Sequence, residues 1–235
     1  MKKETEYGQF CPVAKAAEIV TTRWTPLILR ELICGSSRFN EIHRGVPLMS
    51  RALLSKRLKD LQTAGVIERD GPAGSQTSTY RLTPSGEALQ PIIVALGLWG
   101  QQWVESALEG PDWDAGVLMW DMKRRIDTSV LPAGRTVVQF DYHDAPSELR
   151  RWWLVIADDD VDLCQSDPGH EVDLYVASSV PVMANVWIGK RSLAAALDDE
   201  EIVVVGDAEL CKTIRRWLKL SLLADAAKAP QALAG

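Results

Sequence analysis

A chain of 235 residues exceeds most single small domains, so two domains are expected. Hydrophobic residues make up 46% and charged residues 25%, a globular balance that excludes a low-complexity or disordered chain. The net charge is −6, and no apolar run approaches the roughly 20 residues that span a bilayer, so no membrane partner is expected.

The opening MKKETEYGQFCP has two lysines but no apolar core behind them, unlike a secretory signal, and a cytoplasmic location is expected. The four cysteines, Cys11, Cys34, Cys164 and Cys211, show neither CxxC pairing nor histidine-ligand spacing, so neither a metal site nor a disulfide framework is expected. Charge is unevenly spread. Residues 1–108 carry 13 lysines and arginines against 10 acids (+3), and residues 109–235 carry 13 against 22 (−9). Such asymmetry suggests a nucleic-acid-facing part joined to something else.

In chain order, apolar residues recur at helical spacing from Pro12 to about Cys34, interrupted at Thr21, Thr22 and Thr25-Pro26, which predicts two helices with a break. Phe39 to Arg44 is a short helix and Gly45-Val46-Pro47 a turn. Ser50 is a good N-cap for a helix ending at Gly65. Leu54, Leu58 and Leu61 form its apolar stripe, while Ala52, Ser55, Lys56 and Lys59 fall on the opposite face. Val66 to Arg69 and Thr79 to Leu82 read as two strands around the turn-rich DGPAGSQTS. Thr83 then caps a helix with Pro84 at its first position, running to about Leu108, with Pro91 kinking or restarting it. That helix carries more apolar surface than one small domain needs to bury.

Helices, a turn, a leucine-striped basic helix and a hairpin form the order of a winged helix-turn-helix, whose basic helix enters the major groove. Between Arg38 and Arg69 seven lysines and arginines face only Glu41, Asp60 and Glu68. A basic helix face is, by itself, equally compatible with plain solvation.

The segments CPV, RWTPLILREL, RFNEI, LSKRLKDLQTAGVIER and YRLTPSG make residues Cys11 to Trp103 resemble the HxlR-type winged-helix regulators of bacteria. The resemblance implies a homodimer, paired through the terminal helices of the winged domain, on a pseudo-palindromic operator in double-stranded DNA. It implies a recognition helix over Ser50–Thr63, with Arg51, Ser55, Lys56 and Lys59 nearest the DNA and Ser50 on a phosphate. Arg38 and Arg44 become candidate backbone contacts, and Arg57 points sideways. The wing tip lacks an arginine, which leaves Gln76, Thr77 and Ser78 to offer neutral hydrogen bonds. Some members of the family carry a sensing thiol where Cys11 stands, ahead of a helix N-terminus that lowers a thiol pKa; a buried structural cysteine is the alternative.

Gly110-Pro111 is the expected boundary, giving a DNA-binding and dimerisation domain over 1–109 and a second domain over 110–235. There Arg135 to Tyr142, Arg151 to Ala157 and Glu171 to Val176 read as strands, with Asp158-Asp159-Asp160 turning into Val161-Asp162-Leu163. Pro181 to Ile188 and Ser192 to Leu197 read as helices, Ile202 to Val205 as a short buried strand, and Asp207 caps a final helix to Leu223. The expected fold class is α+β: a mostly helical winged domain, then a mixed α/β domain with a mostly antiparallel sheet.

Enzyme chemistry finds little support. Asp158, Asp160 and Asp162 alternate as in a calcium loop, but the sixth position is Leu163 and the twelfth Gly169. There is no nucleophile elbow and no phosphate-cradling glycine loop, so neither an enzyme nor a cofactor is expected. The stretch VDLYVASSVPVMANVWIGKRSLAAALDDEEIVVVGDAELCKTIRRWL resembles the C-terminal half of a sterol carrier protein-like domain, most of all in Gly206-Asp207 followed by Leu210. That resemblance implies an apolar small-molecule effector in a pocket drawn from Trp152, Trp153, Met183, Trp187, Leu193, Trp217 and Leu218. Simple core packing is the alternative for each. Two functions follow: a ligand-modulated, DNA-binding regulator, or a lipid carrier whose winged domain serves only dimerisation.

Overall fold

The structure is a computed structural model that describes residues 7–71, 78–104 and 113–224. The chain divides into two compact units, Met1–Gly97 and Leu98–Gly235. The expected junction at Gly110-Pro111 lies outside the described residues.

In the first unit, α1 (Pro12–Val20) and α2 (Thr25–Ile33) are separated by a break at which Trp24 adopts φ 78°. A left-handed backbone is unfavourable for a bulky residue, so the break is set by more than local preference. Pro26, in the first turn of α2, gives up no helix hydrogen bond. Helix α3 (Phe39–Gly45) starts where the Glu41 carboxylate accepts from the backbone N–H groups of Ser37 and Arg38, both at 2.9 Å.

Helix α4 (Arg51–Thr63) is capped by Ser50, whose hydroxyl accepts from the Leu53 N–H at 3.3 Å. Leu54, Leu58 and Leu61 are buried in a core shared with Ile28 and Leu29 of α2 and Ile42 of α3. At about 1.5–3 kcal/mol for each buried leucine, this stripe fixes the rotation of α4 about its axis and so decides which residues face out.

Strands β1 (Ile67–Asp70) and β2 (Thr79–Leu82) pair antiparallel, Ile67 opposite Leu82 and Asp70 opposite Thr79. Thr83 then does two jobs. Its hydroxyl accepts from the Gly86 N–H at 3.2 Å and lies 2.7 Å from the Gly65 carbonyl, tying α5 (Pro84–Glu87) to the end of α4. The predicted single helix is two, with α6 (Gln90–Trp103) restarting at Pro91 as the missing proline N–H requires. Its expected extension through Leu108 enters residues that are not described.

Helix α6 crosses the division at Gly97, and beyond it the second unit continues with α7 (Ala115–Lys123), a helix additional to those expected from the sequence. Asp114 caps it, accepting from the N–H groups of Gly116 and Val117, and Leu118, Met119 and Met122 are buried. A 3-10 turn at Thr128–Val130 leads into a five-stranded sheet. Its strands are β3 (Arg135–Tyr142), β4 (Arg151–Ala157), β5 (Asp160–Cys164), β6 (Leu174–Ser178) and β7 (Ile202–Gly206), in the order β5-β4-β3-β6-β7. Three pairings are antiparallel; β3 and β6 run parallel at the centre.

Helices α8 (Val180–Trp187), α9 (Leu193–Asp198) and α10 (Ala208–Trp217) share one core with α7 and with Val138, Phe140, Leu154, Leu174 and Val176 of the sheet. Gly206 has φ 144°, and a Cβ there would lie 2.2 Å from the Asp173 carbonyl oxygen, which accepts from the Asp207 N–H at 2.9 Å. The Gly-Asp step is therefore a backbone close approach that hands the chain from sheet to helix.

Three expectations need correction. The strand expected from Glu171 begins at Leu174, because Asp173 is spent bracing β3 through its carboxylate, which accepts from the Val137 N–H at 2.7 Å. Strand β7 is an edge, with Val203 46% and Val205 60% exposed, rather than a buried strand. Helix α10 stops at Trp217 instead of Leu223, where Leu218 bridges to Ile126 and Lys219 pairs with Asp127 at 2.6 Å.

Candidate nucleic-acid interface

Arg51, Ser55, Lys56 and Lys59 of α4 are all exposed; Ser55, Lys56 and Lys59 lie on the face away from the leucine stripe, and Arg51 stands at the first residue of the helix, beside that stripe. Neither Lys56 nor Lys59 makes an ion pair or side-chain hydrogen bond among the described residues, so both charges are available to an incoming anion. Both also line an open groove of about 610 Å³, together with Glu18 and Ile19 of α1 and Thr22 in the break that follows it. Arg57 is engaged elsewhere: its guanidinium pairs with Asp60 at 3.1 Å and is only 19% exposed.

Arg51 is held in place by α3. Its guanidinium donates to the Asn40 side-chain oxygen at 2.6 Å and stacks over the Phe39 ring at 5.4 Å. Phe39 also stacks with His43 at 6.4 Å, and a His43 ring nitrogen lies 2.9 Å from the Met49 carbonyl oxygen. The start of α4 and the turn before it are thus clamped to α3 by a continuous set of ring and polar contacts. Ser50, Arg38 and Arg44 are exposed at the same end of the motif. Because Ser50 uses its oxygen as acceptor for the cap, its hydroxyl proton is still available to a phosphate.

The hairpin offers less. Gln76 and Thr77 lie outside the described residues. Ser78 differs from the expectation of an exposed contact: it is 4% exposed and its hydroxyl accepts from Arg69 at 2.9 Å. Arg69 also lies over the Tyr80 ring at 5.7 Å. Arg81 is taken up by Asp70 at 2.9 Å and Glu68 at 2.7 Å, and the hydrogen bond to Asp70 is the chief cause of its raised pKa. The described wing residues therefore spend their cations within the hairpin.

Helix α6 shows the opposite pattern to α4. Ile92, Leu96, Trp99 and Trp103, spaced by four, three and four residues, are 54%, 50%, 57% and 66% exposed. The spacing puts these four side chains on one face of the helix as an exposed apolar stripe. Cys11 stands at the N-cap of α1, half-buried, with Pro12 behind it and no cap bond from its side chain.

In the second unit the seven candidate pocket residues are all buried. Trp152 and Trp217 satisfy their indole N–H groups on the carbonyls of Leu149 (2.7 Å) and Leu210 (3.1 Å), as core tryptophans do. Met183 and Trp187 belong to the same core, whereas Trp153 lies outside that cluster. Leu193 and Leu218 also line a surface groove of about 510 Å³ with Arg191, Arg215 and Lys219. Among the described residues no group of three or more His, Cys, Asp or Glu is placed to hold a metal ion, and no helix is long and apolar enough to cross a membrane.

Comparison with known proteins adds to this geometry. The HxlR-like helix-turn-helix family matches residues 19–108. An uncharacterized HTH-type transcriptional regulator of Bacillus subtilis, YvaP, is 39% identical over 42% of this chain and 93% of its own length. The HTH-type transcriptional regulator YodB of the same organism is 34% identical over 40% of this chain and 87% of its own. An uncharacterized HTH-type regulator of Synechocystis, sll1512, is 34% identical over 43% and 75% respectively.

Proposed function

The chain belongs to the HxlR-like helix-turn-helix family of transcriptional regulators, and from that premise we propose that it binds a pseudo-palindromic operator as a homodimer, with α4 in the major groove. The observation that carries this reading is the rotation of α4. Three buried leucines on one side leave Ser55, Lys56 and Lys59 on the other and Arg51 exposed at the helix start, with neither lysine in an ion pair among the described residues. The apolar stripe of α6 supports pairing of two chains, which would set the two copies of α4 about one helical turn, roughly 34 Å, apart on DNA. Arg38, Arg44 and Ser50 flank the helix as phosphate contacts.

Fluorescence anisotropy on a site selected from random DNA tests the assignment. With about three phosphates neutralised per subunit, log K falls against log salt with a slope near −5. Lys56→Ala with Lys59→Ala should weaken binding and flatten that slope. An unchanged slope would remove α4 from the interface.

The second unit is proposed as the seat of an apolar effector. The Gly206-Asp207 close approach and the groove bordered by Leu193 and Leu218 support this, although the tryptophans serve as core. Native mass spectrometry of the full chain tests it. A co-purified apolar adduct that shifts operator affinity supports the reading, and saturating adduct without such a shift counts against it.

A further inference from the structure

Leu48 is 85% exposed, although the residues around it are anchored: Val46 is 2% and Met49 1% exposed. It lies in the turn between α3 and α4, two residues before the Ser50 cap and three before Arg51, with Arg44 four residues behind. The turn is rigid. The Met49 N–H donates to the Val46 carbonyl at 3.0 Å, and the Met49 carbonyl lies 2.9 Å from the His43 ring nitrogen. A large aliphatic side chain is therefore held out into solvent, between Arg44 and Arg51 in the chain, just ahead of the N-terminus of α4.

That end of a recognition helix is the one that meets base edges. Among the groups displayed in the major groove, the thymine 5-methyl is the apolar one, and aliphatic side chains read it by contact. From this placement we infer that Leu48 is a specificity-determining residue that packs on the methyl group of one thymine in each half-site. The inference rests on the DNA-binding reading above and adds a base to it. The cations around Leu48 neutralise phosphate and carry no sequence information; Leu48 supplies discrimination without charge.

The test separates the methyl group from everything else. The preferred site is selected from random DNA with the full-length chain, and each thymine is replaced singly by deoxyuridine, which removes only the 5-methyl. One thymine position per half-site should weaken wild-type binding about fourfold when demethylated, the equivalent of one buried methyl group. Leu48→Ala, which loses the contact in both half-sites, should bind the intact site about sixteenfold more weakly and lose discrimination at that position alone. Its salt slope should stay unchanged, because no charge is removed. Leu48→Met, which keeps an apolar side chain, should retain the discrimination.

Equal deoxyuridine penalties in wild type and Leu48→Ala would overturn the inference while leaving DNA binding intact. So would a selected half-site without thymine. Wild-type protein that prefers no sequence would remove the parent reading and this one together, before any deoxyuridine is introduced.

Discussion

The carboxyl group of Glu31 fills the space that a side chain at Gly45 would need: a Cβ on Gly45 would lie 2.0 Å from Glu31 Cδ. Glu31 is fully buried and accepts from Arg30 at 2.9 Å and from Ser36 at 3.1 Å, and Arg30 donates also to the Gly45 carbonyl at 2.8 Å. One buried carboxylate thus joins α2, the start of α3 and the turn that aims α4.

Gly45→Ala should therefore destabilise the first unit by about 2–3 kcal/mol, the upper part of the range of about 1–3 kcal/mol for overpacking a close-packed site. The displaced carboxylate would also lose partners while remaining buried. Urea unfolding followed by tryptophan fluorescence measures it. A loss under 0.5 kcal/mol would mean that the turn relaxes freely and that Glu31 does not fix it.

Asn40 should act on DNA only through Arg51, since its side-chain oxygen holds the guanidinium at 2.6 Å. Arg51→Ala is expected to weaken operator binding and flatten the salt slope by about one unit per lost phosphate contact. Asn40→Ala should weaken binding less and leave the slope unchanged, because the charge remains. In a double-mutant cycle the effect of Asn40→Ala should vanish on the Arg51→Ala background. Additive effects would place Asn40 on the DNA independently.

Much of this architecture was legible because it is written in neighbouring residues. The Ser50 cap, the Thr83-Pro84 start, the restart at Pro91 and the Asp207 cap are all decided within one helical turn, and each is found where the sequence places it. The exposed face of α4 follows from leucine spacing alone. What was hidden depends on partners distant in the chain. Ser78 is withdrawn by Arg69, nine residues away across the hairpin, and Arg51 is tethered by a residue of another helix.

The edge position of β7 depends on strand order, which the run Ile202 to Val205 does not encode. Helix α7 has a readable signal, the Asp114 cap ahead of Leu118, Met119 and Met122, but it stands only three residues beyond the Gly110-Pro111 pair that marks the expected boundary.

The pH dependence of the second unit should carry a signature of Asp127. Its carboxyl pKa is held at about 2, first by the hydrogen bond from Lys219 and next by that from Ser129. The folded value lies below the ordinary one of about 3.9, so the contribution is complete above about pH 5 and disappears as pH falls through 2. Asp127→Asn should be less stable than wild type at neutral pH, and the gap should close between pH 4 and 2. Urea midpoints for both proteins across that range measure it. A gap that widens on acidification would contradict the assigned pair.

The stripe on α6 gives the last prediction. Leu96 and Trp99 are 50% and 57% exposed in the single chain, so a glutamate at either position can keep its carboxylate in water and should leave the far-ultraviolet circular dichroism unchanged. In a two-fold interface every substitution occurs twice, and carboxylates desolvated against apolar partners are strongly disfavoured. Leu96→Glu with Trp99→Glu should therefore convert the protein to a monomer in sedimentation velocity at micromolar concentration. A monomer contacts one half-site, so its salt slope should fall to about half the wild-type value. Monomerisation with a full slope would mean that one α4 makes all the phosphate contacts, and a dimer that survives both glutamates would place the interface on another surface.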